Sequence, residues 1–318
     1  MTPQTRRRLL EGLGLAGSSL LALGACDVWS LAANPDSQSV GGSAISIEAL
    51  RTRDYPPGEI RLQQVISKWP TYTSYLMTHD SDGLQLTGVA TLPTGTGPFP
   101  VVILNHGFIL PGNFETGDGT QALSHALATR GYITLASDYR RMGLSRSSGK
   151  VHFGVRLEFA VDVLNLVASV ESLPEARHGT IGMWGHSMGA DLALRAAEVN
   201  PAIGPLALWA PLSGWMDDIS SYYRLPTSTQ STELRAALSP GNYLHHLRGP
   251  VEIHQGADDT VVQPEWARKL HRALLGADVS SELILHPRLG HHLDQKSQHA
   301  VDQMAGFFNR HLGSRGES

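Results

Sequence analysis

Apolar and polar positions along the chain change period in a regular way. Residues 72–78 (Tyr-Thr-Ser-Tyr-Leu-Met-Thr) and 84–90 (Leu-Gln-Leu-Thr-Gly-Val-Ala) alternate with period two, and Ser81-Asp82-Gly83 lies between them. Strand side chains face alternate ways and Asp-Gly favours a tight turn, so this stretch predicts an antiparallel hairpin. Residues 101–104 (Val-Val-Ile-Leu) are an unbroken apolar run, as expected of a strand covered on both faces. Helix-period and strand-like segments then alternate: a helix near 120–130, strand 132–137, a helix near 155–173, strand 180–184, helix 188–198 and strand 206–210. The pattern resumes with strand 251–254, helix 264–275, strand 282–285 and helix 294–311. Repeated β-α-β alternation predicts an α/β fold, with a mostly parallel central sheet and helices on both faces.

Residues 212–248 interrupt the alternation. They hold Trp215, Tyr222, Tyr223 and Tyr243, two prolines and a helical-looking stretch at 232–238. A connection this long is usually functional, and it reads as a small cap over a site. Of the 318 residues, 41% are hydrophobic and 17% charged, enough apolar material for a sizeable core and unlike a disordered chain. The formal net charge is −4. A nucleic-acid partner is not expected, since it would want a concentrated basic face.

A single cysteine, Cys26, rules out an intramolecular disulfide. Its position carries more. Arg6-Arg7-Arg8 is followed by a stretch rich in Leu, Gly, Ala and Ser up to Ala25, too short to span a bilayer as a mature helix, which takes about 20 apolar residues. It reads as an export signal, and the paired arginines resemble a twin-arginine signal. Leu23-Gly24-Ala25-Cys26 resembles a bacterial lipobox, which implies lipid attachment at Cys26. The expected organisation is an export signal at 1–26, a Ser/Gly/Ala-rich flexible tether at 27–53 and a catalytic domain at 54–318. The protein would be an exported lipoprotein held at a membrane, in the periplasm or on the outer face of the cytoplasmic membrane.

The sharpest chemical signal is Gly185-His186-Ser187-Met188-Gly189, between a strand and a helix. A serine there stands on a sharp strand-to-helix turn with its Oγ exposed. A serine hydroxyl is a poor nucleophile at neutral pH and needs a base, itself oriented by a carboxylate. In chain order Ser, Asp, His, Gly256-Ala257-Asp258-Asp259 follows one strand and His286-Pro287-Arg288-Leu289-Gly290-His291-His292 follows another. Both fall on the carboxyl edge of the sheet, where open α/β folds bind ligands. The acid is then Asp258 or Asp259, and the base His291 or His292. Fifteen histidines invite a zinc reading, but there is no His-Glu-x-x-His helix and no cysteine ligand. Neither metal nor cofactor is expected.

Four segments, at 104–108, 185–189, 254–266 and 287–291, make the domain resemble the α/β-hydrolase superfamily, in particular bacterial dienelactone-hydrolase-like and prolyl-oligopeptidase-like members. The resemblance spans about 73–312. It implies Asp259 as the acid, three residues after the glycine that ends its strand, and His291 as the base in a Pro-x-x-Gly-His run. It also implies two oxyanion donors, the backbone N–H of Met188 and that of Phe108 in the His106-Gly107-Phe108 loop, with His106 structural. Residues 138–145 would support that loop. The expected reaction is hydrolysis of a small-molecule carboxylic ester through an acyl-enzyme. A short peptide or amide is the alternative substrate, although peptidases of this kind usually carry a propeller for which few residues remain before 101. A non-catalytic binding lipoprotein on the same fold would be expected to lack one triad member.

Overall fold

A computed structural model describes residues 42–145, 153–222, 231–292 and 297–313. Cys26 and the expected export signal lie outside them. The backbone forms strands β1 (Arg61–Lys68), β2 (Tyr72–Ser81), β3 (Leu84–Pro93), β4 (Val101–Asn105), β5 (Ile133–Ser137), β6 (Ile181–His186), β7 (Ile203–Trp209), β8 (Val251–Gly256) and β9 (Ser281–His286). Its helices are α1 (Ile47–Thr52), α2 (Gln121–Ala128), α3 (Phe153–Ser169), α4 (Met188–Val199), α5 (Met216–Tyr222), α6 (Thr232–Ala237), α7 (Pro264–Gly276) and α8 (Gln298–Leu312). One nine-stranded sheet runs in the order β1-β2-β3-β5-β4-β6-β7-β8-β9. The hairpin β2–β3 and the edge strand β1 are antiparallel, β3 joins β5 antiparallel, and the strands from β5 to β9 pair in parallel.

Strands β4 to β8 are buried along their whole length, because helices cover both faces. Alternate residues serve different cores. Val101, Ile103, Met183, Leu206 and Leu208 pack with Phe159, Val163 and Leu164 of α3 and with Leu192 and Ala193 of α4. Val102, Leu104, Trp184, Ala207 and Trp209 face Leu123 and Leu127 of α2 and Met304 and Phe308 of α8. The buried residues of α7, Trp266, Ala267, Leu270 and Leu274, recur every three or four positions, the stripe of a helix laid on a sheet.

Two features differ from the sequence expectation. Residues 42–53, expected as the end of a tether, instead form a 3₁₀ turn (Gly42–Ile45) and α1. Ile47 and Leu50 are fully buried, and the Arg51 guanidinium donates to the backbone carbonyl of Glu198 on α4. The Ser46 hydroxyl accepts the Ala49 N–H at 3.3 Å, an N-cap that starts the helix. Burial of two aliphatic side chains, each contributing about 1.5–3 kcal/mol, outweighs the flexible composition upstream. Strand β1 was not expected either: it is an edge strand with largely exposed side chains, so burial imposed no alternation on it.

Within 212–248, the described residues form α5, α6 and two 3₁₀ turns, Pro240–Asn242 and Leu244–His246. Leu212, Met216, Ile219 and Leu238 pack into a third core with Ile45, Leu157, Val262 and Trp266. The insertion is therefore seated on α1's approach, α3 and α7.

Candidate active site

Ser187 follows β6 directly and serves as the N-cap of α4, with φ 54° and ψ −115°. A non-glycine residue at positive φ outside the usual left-handed well costs roughly 1–3 kcal/mol. The turn is held by the Ser187 N–H donating to the Trp209 carbonyl at 2.9 Å, and by Ala190 N–H on the Ser187 carbonyl at 3.0 Å. The flanking glycines are required sterically: a Cβ on Gly185 would collide with the Gly189 carbonyl, and one on Gly189 with the Asn105 carbonyl. Strand β4 and helix α4 can thus approach to backbone contact.

Asp259 and His291 are brought together from the ends of β8 and β9. His291 Nδ1 is 2.9 Å from Asp259 Oδ2, and the Asp259 side chain has no exposed surface. Every partner of this carboxylate is a donor. Oδ1 accepts the N–H groups of Val261 at 2.8 Å and Val262 at 2.9 Å, and Oδ2 accepts Gln255 Nε2 at 3.0 Å as well as His291. Burial pushes the Asp259 carboxyl up, but the His291 hydrogen bond and charge and the Val262 and Val261 N–H groups outweigh it and hold it below the usual carboxylate range. An ionised carboxylate only accepts, so Nδ1 of His291 carries the proton and Nε2 of the neutral ring keeps its lone pair. Asp258 is exposed, and its N–H is spent on the Leu289 carbonyl.

The His291 backbone is tied to the serine turn. Its carbonyl accepts Trp209 Nε1–H at 2.8 Å and His186 Nε2–H at 2.9 Å. His186 precedes Ser187 in the chain, and its ring centroid lies 4.8 Å from that of His291. Because a carbonyl cannot donate, Nε2 of His186 is protonated. Burial and then the neighbouring His291 and His292 charges push its pKa well below the usual imidazole value, so it is a neutral donor. His292 is exposed.

The loop after β4 carries Phe108, and its support is aromatic. His106 stacks on Phe114 at 4.6 Å and on Tyr139 at 4.4 Å, and Tyr139 stacks on Phe159 at 5.0 Å. Burial lowers the His106 pKa to about 4, so this ring is a neutral spacer whose Nδ1–H reaches the Gly107 carbonyl at 2.7 Å. Tyr139 belongs to the loop after β5, clamped by Arg140 against the fully buried Asp162 at 2.8 Å. Asp138 there accepts the Thr87 and Thr116 hydroxyls, both at 2.7 Å. Among the described residues, the backbone N–H groups of Phe108 and Met188 have no acceptor.

Three neighbours were missed in the sequence. Gln255 sits on the strand end before Gly256, and that place at the carboxyl edge is the signal that could have found it. Trp209 ends β7 beside the serine turn and reads as core from sequence alone. Arg156, only 4% exposed, stacks its guanidinium on Phe108 with Cζ 3.7 Å from the ring centroid, a contact between distant segments. A cavity next to Met188 is lined by Arg156, Leu157, Asp191, Leu212, Met216 and Ile219, joining the nucleophile helix, α3 and the 212–248 insertion.

Comparison with known proteins bears on the fold. An acetyl xylan esterase from Thermoanaerobacterium sp. JW/SL YS485 superposes with a TM-score of 0.62 at 18% identity, over 84% of this chain and 92% of the esterase. The chain has an α/β-hydrolase fold. An acetyl xylan esterase from Paenibacillus sp. R4 gives a TM-score of 0.64 at 17% identity, over 82% of this chain and 91% of the other. Acylaminoacyl peptidase from Pyrococcus horikoshii gives 0.62 at 17%, over 79% of this chain but 43% of the peptidase. The family model for X-Pro dipeptidyl-peptidase (S15 family) matches residues 82–239. No curated protein matches significantly in sequence.

Proposed function

We propose that this α/β hydrolase cleaves carboxylic esters of small molecules through an acyl-enzyme, with Ser187 as nucleophile, His291 as base and Asp259 as the orienting acid. The observation that carries the reading is the tautomer of His291: a carboxylate that can only accept holds Nδ1–H, which leaves Nε2 able to take a proton at the edge where Ser187 stands. His291 removes the Ser187 hydroxyl proton as Oγ attacks the ester carbonyl, and Asp259 stabilises the imidazolium that forms. The unclaimed N–H groups of Met188 and Phe108 would receive the oxyanion, each worth about 10²–10³ in turnover at comparable sites. His291 then protonates the departing alcohol. Water, deprotonated by the same ring, hydrolyses the acyl-enzyme.

A small serine peptidase is the second reading, supported by the match to the X-Pro dipeptidyl-peptidase family model. The ester reading draws on likeness to two acetyl xylan esterases over nine-tenths of their length. Purified enzyme assayed on p-nitrophenyl acetate and on a peptide p-nitroanilide separates the two. A fluorophosphonate probe should label wild type and not Ser187→Ala, which should fold normally and lose turnover. Label retained in Ser187→Ala would refute the site, and turnover of the anilide alone would favour the peptidase.

A further inference from the structure

We propose that Arg156 is a positioning residue for catalysis: its guanidinium, laid over the Phe108 ring, holds the loop that presents the Phe108 N–H to the developing oxyanion. This rests on the serine-hydrolase reading above. Three observations converge. The Cζ–centroid distance of 3.7 Å is a stacked contact, well inside the roughly 6 Å over which a cation is attracted to a ring face. Arg156 is 4% exposed, so the attraction works with little screening by water. The same side chain lines the cavity beside Met188, so one buried guanidinium touches the Phe108 ring and shares a cavity with Met188.

The other supports of the loop hold it from the His106 side, through Phe114 and Tyr139. Phe108 itself packs against the main core, and Arg156 adds a contact on its ring face from α3. Losing the Arg156 contact would loosen the Phe108 ring and with it the Phe108 N–H, and donors at an oxyanion site must already be in place when charge develops.

The test is a double-mutant cycle with Arg156→Met, Phe108→Leu and their combination, plus Arg156→Lys, measured on p-nitrophenyl acetate. Arg156→Met should lower kcat about 10- to 30-fold, the rate equivalent of a desolvated cation–π contact, with KM within about twofold because the loss falls on the transition state. Arg156→Lys, which keeps a cation over the ring, should recover most of kcat. Phe108→Leu should reproduce the loss, and the double variant should be no worse than either single one. Thermal unfolding checks folding; should Arg156→Met not fold, wild-type kcat in Phe108→Leu still overturns the proposal. So do an Arg156→Met kcat within twofold of wild type, a rise in KM alone, or additive losses. Wild type that neither turns over nor labels at Ser187 overturns the serine-hydrolase reading and this one with it; wild-type labelling beside an indifferent Arg156→Met overturns this one alone.

Discussion

Replacing Asp259 by asparagine probes the candidate site through hydrogen-bond logic rather than size. Four donors converge on the carboxylate: Val261 and Val262 N–H on Oδ1, Gln255 Nε2 and His291 Nδ1 on Oδ2. An asparagine has one acceptor and one donor group. The two backbone N–H groups are fixed, so they claim its carbonyl oxygen, and the amide NH₂ falls where Oδ2 was. It then faces His291 Nδ1, which must accept, so the ring proton moves to Nε2. A ring protonated there cannot take the Ser187 proton. Gln255 could relieve the clash only by turning its amide, which would set Oε1 against the Gly256 carbonyl that Nε2 now reaches at 3.1 Å. The expected result is a fall in kcat of about 10³- to 10⁴-fold at neutral pH, about 4–5.5 kcal/mol of transition-state stabilisation, with KM little changed. Steady-state p-nitrophenyl acetate hydrolysis and the rate of fluorophosphonate labelling measure it, with Asp258→Asn as control, expected within about twofold of wild type. An Asp259→Asn enzyme keeping a tenth of wild-type kcat, or a comparable loss in Asp258→Asn, would refute the reasoning.

Two further outcomes are expected. Burial lowers the pKa of His79, His106 and His286 to about 4 each and that of His186 well below its usual value. The native state therefore keeps these rings neutral while the unfolded chain protonates near pH 6.5. Stability should fall as pH drops from about 6.5 towards 4, by up to about 1.4 kcal/mol per pH unit per histidine. Asp259, depressed when folded, adds stability that is present above its unfolded value and lost as pH falls through its lower native one. Urea unfolding at pH 7.5 and 5 tests this, and equal stability at the two would contradict it. For the amino terminus we propose lipid attachment at Cys26, so Cys26→Ser should release the enzyme from membranes; unchanged membrane fractionation would sink that idea.

The sequence was most readable where burial on both faces leaves no choice of pattern. Val101 to Leu104 declared a central strand, and each strand after it could be placed by its apolar run. The three candidate catalytic residues were legible because each follows such a strand, and the sheet's parallel order carries those ends to one edge. Choosing Asp259 over Asp258 needed the resemblance, since two adjacent carboxylates differ only in which way the turn aims them. Arg156 was not legible, because its contact with Phe108 joins segments 48 positions apart in sequence. Residues 42–53 were misread because the Ser/Gly/Ala bias upstream masked a short helix whose spaced Ile47 and Leu50 acquire meaning only against α4.

The tie between His291 and the serine turn changes how the second position of the Gly-x-Ser-x-Gly pentapeptide should be regarded. His186 is a spacer in the motif, yet its ring grips the carbonyl of His291 from 105 positions away, and Trp209 grips the same atom from the neighbouring strand. The two loops are therefore tied at one atom: the His291 carbonyl is held by the residues that end β6 and β7, so the loop of the base is registered on the same strand ends that set the serine turn. Substitutions at an apparently unconstrained motif position would then act on the alignment of the base rather than on the nucleophile.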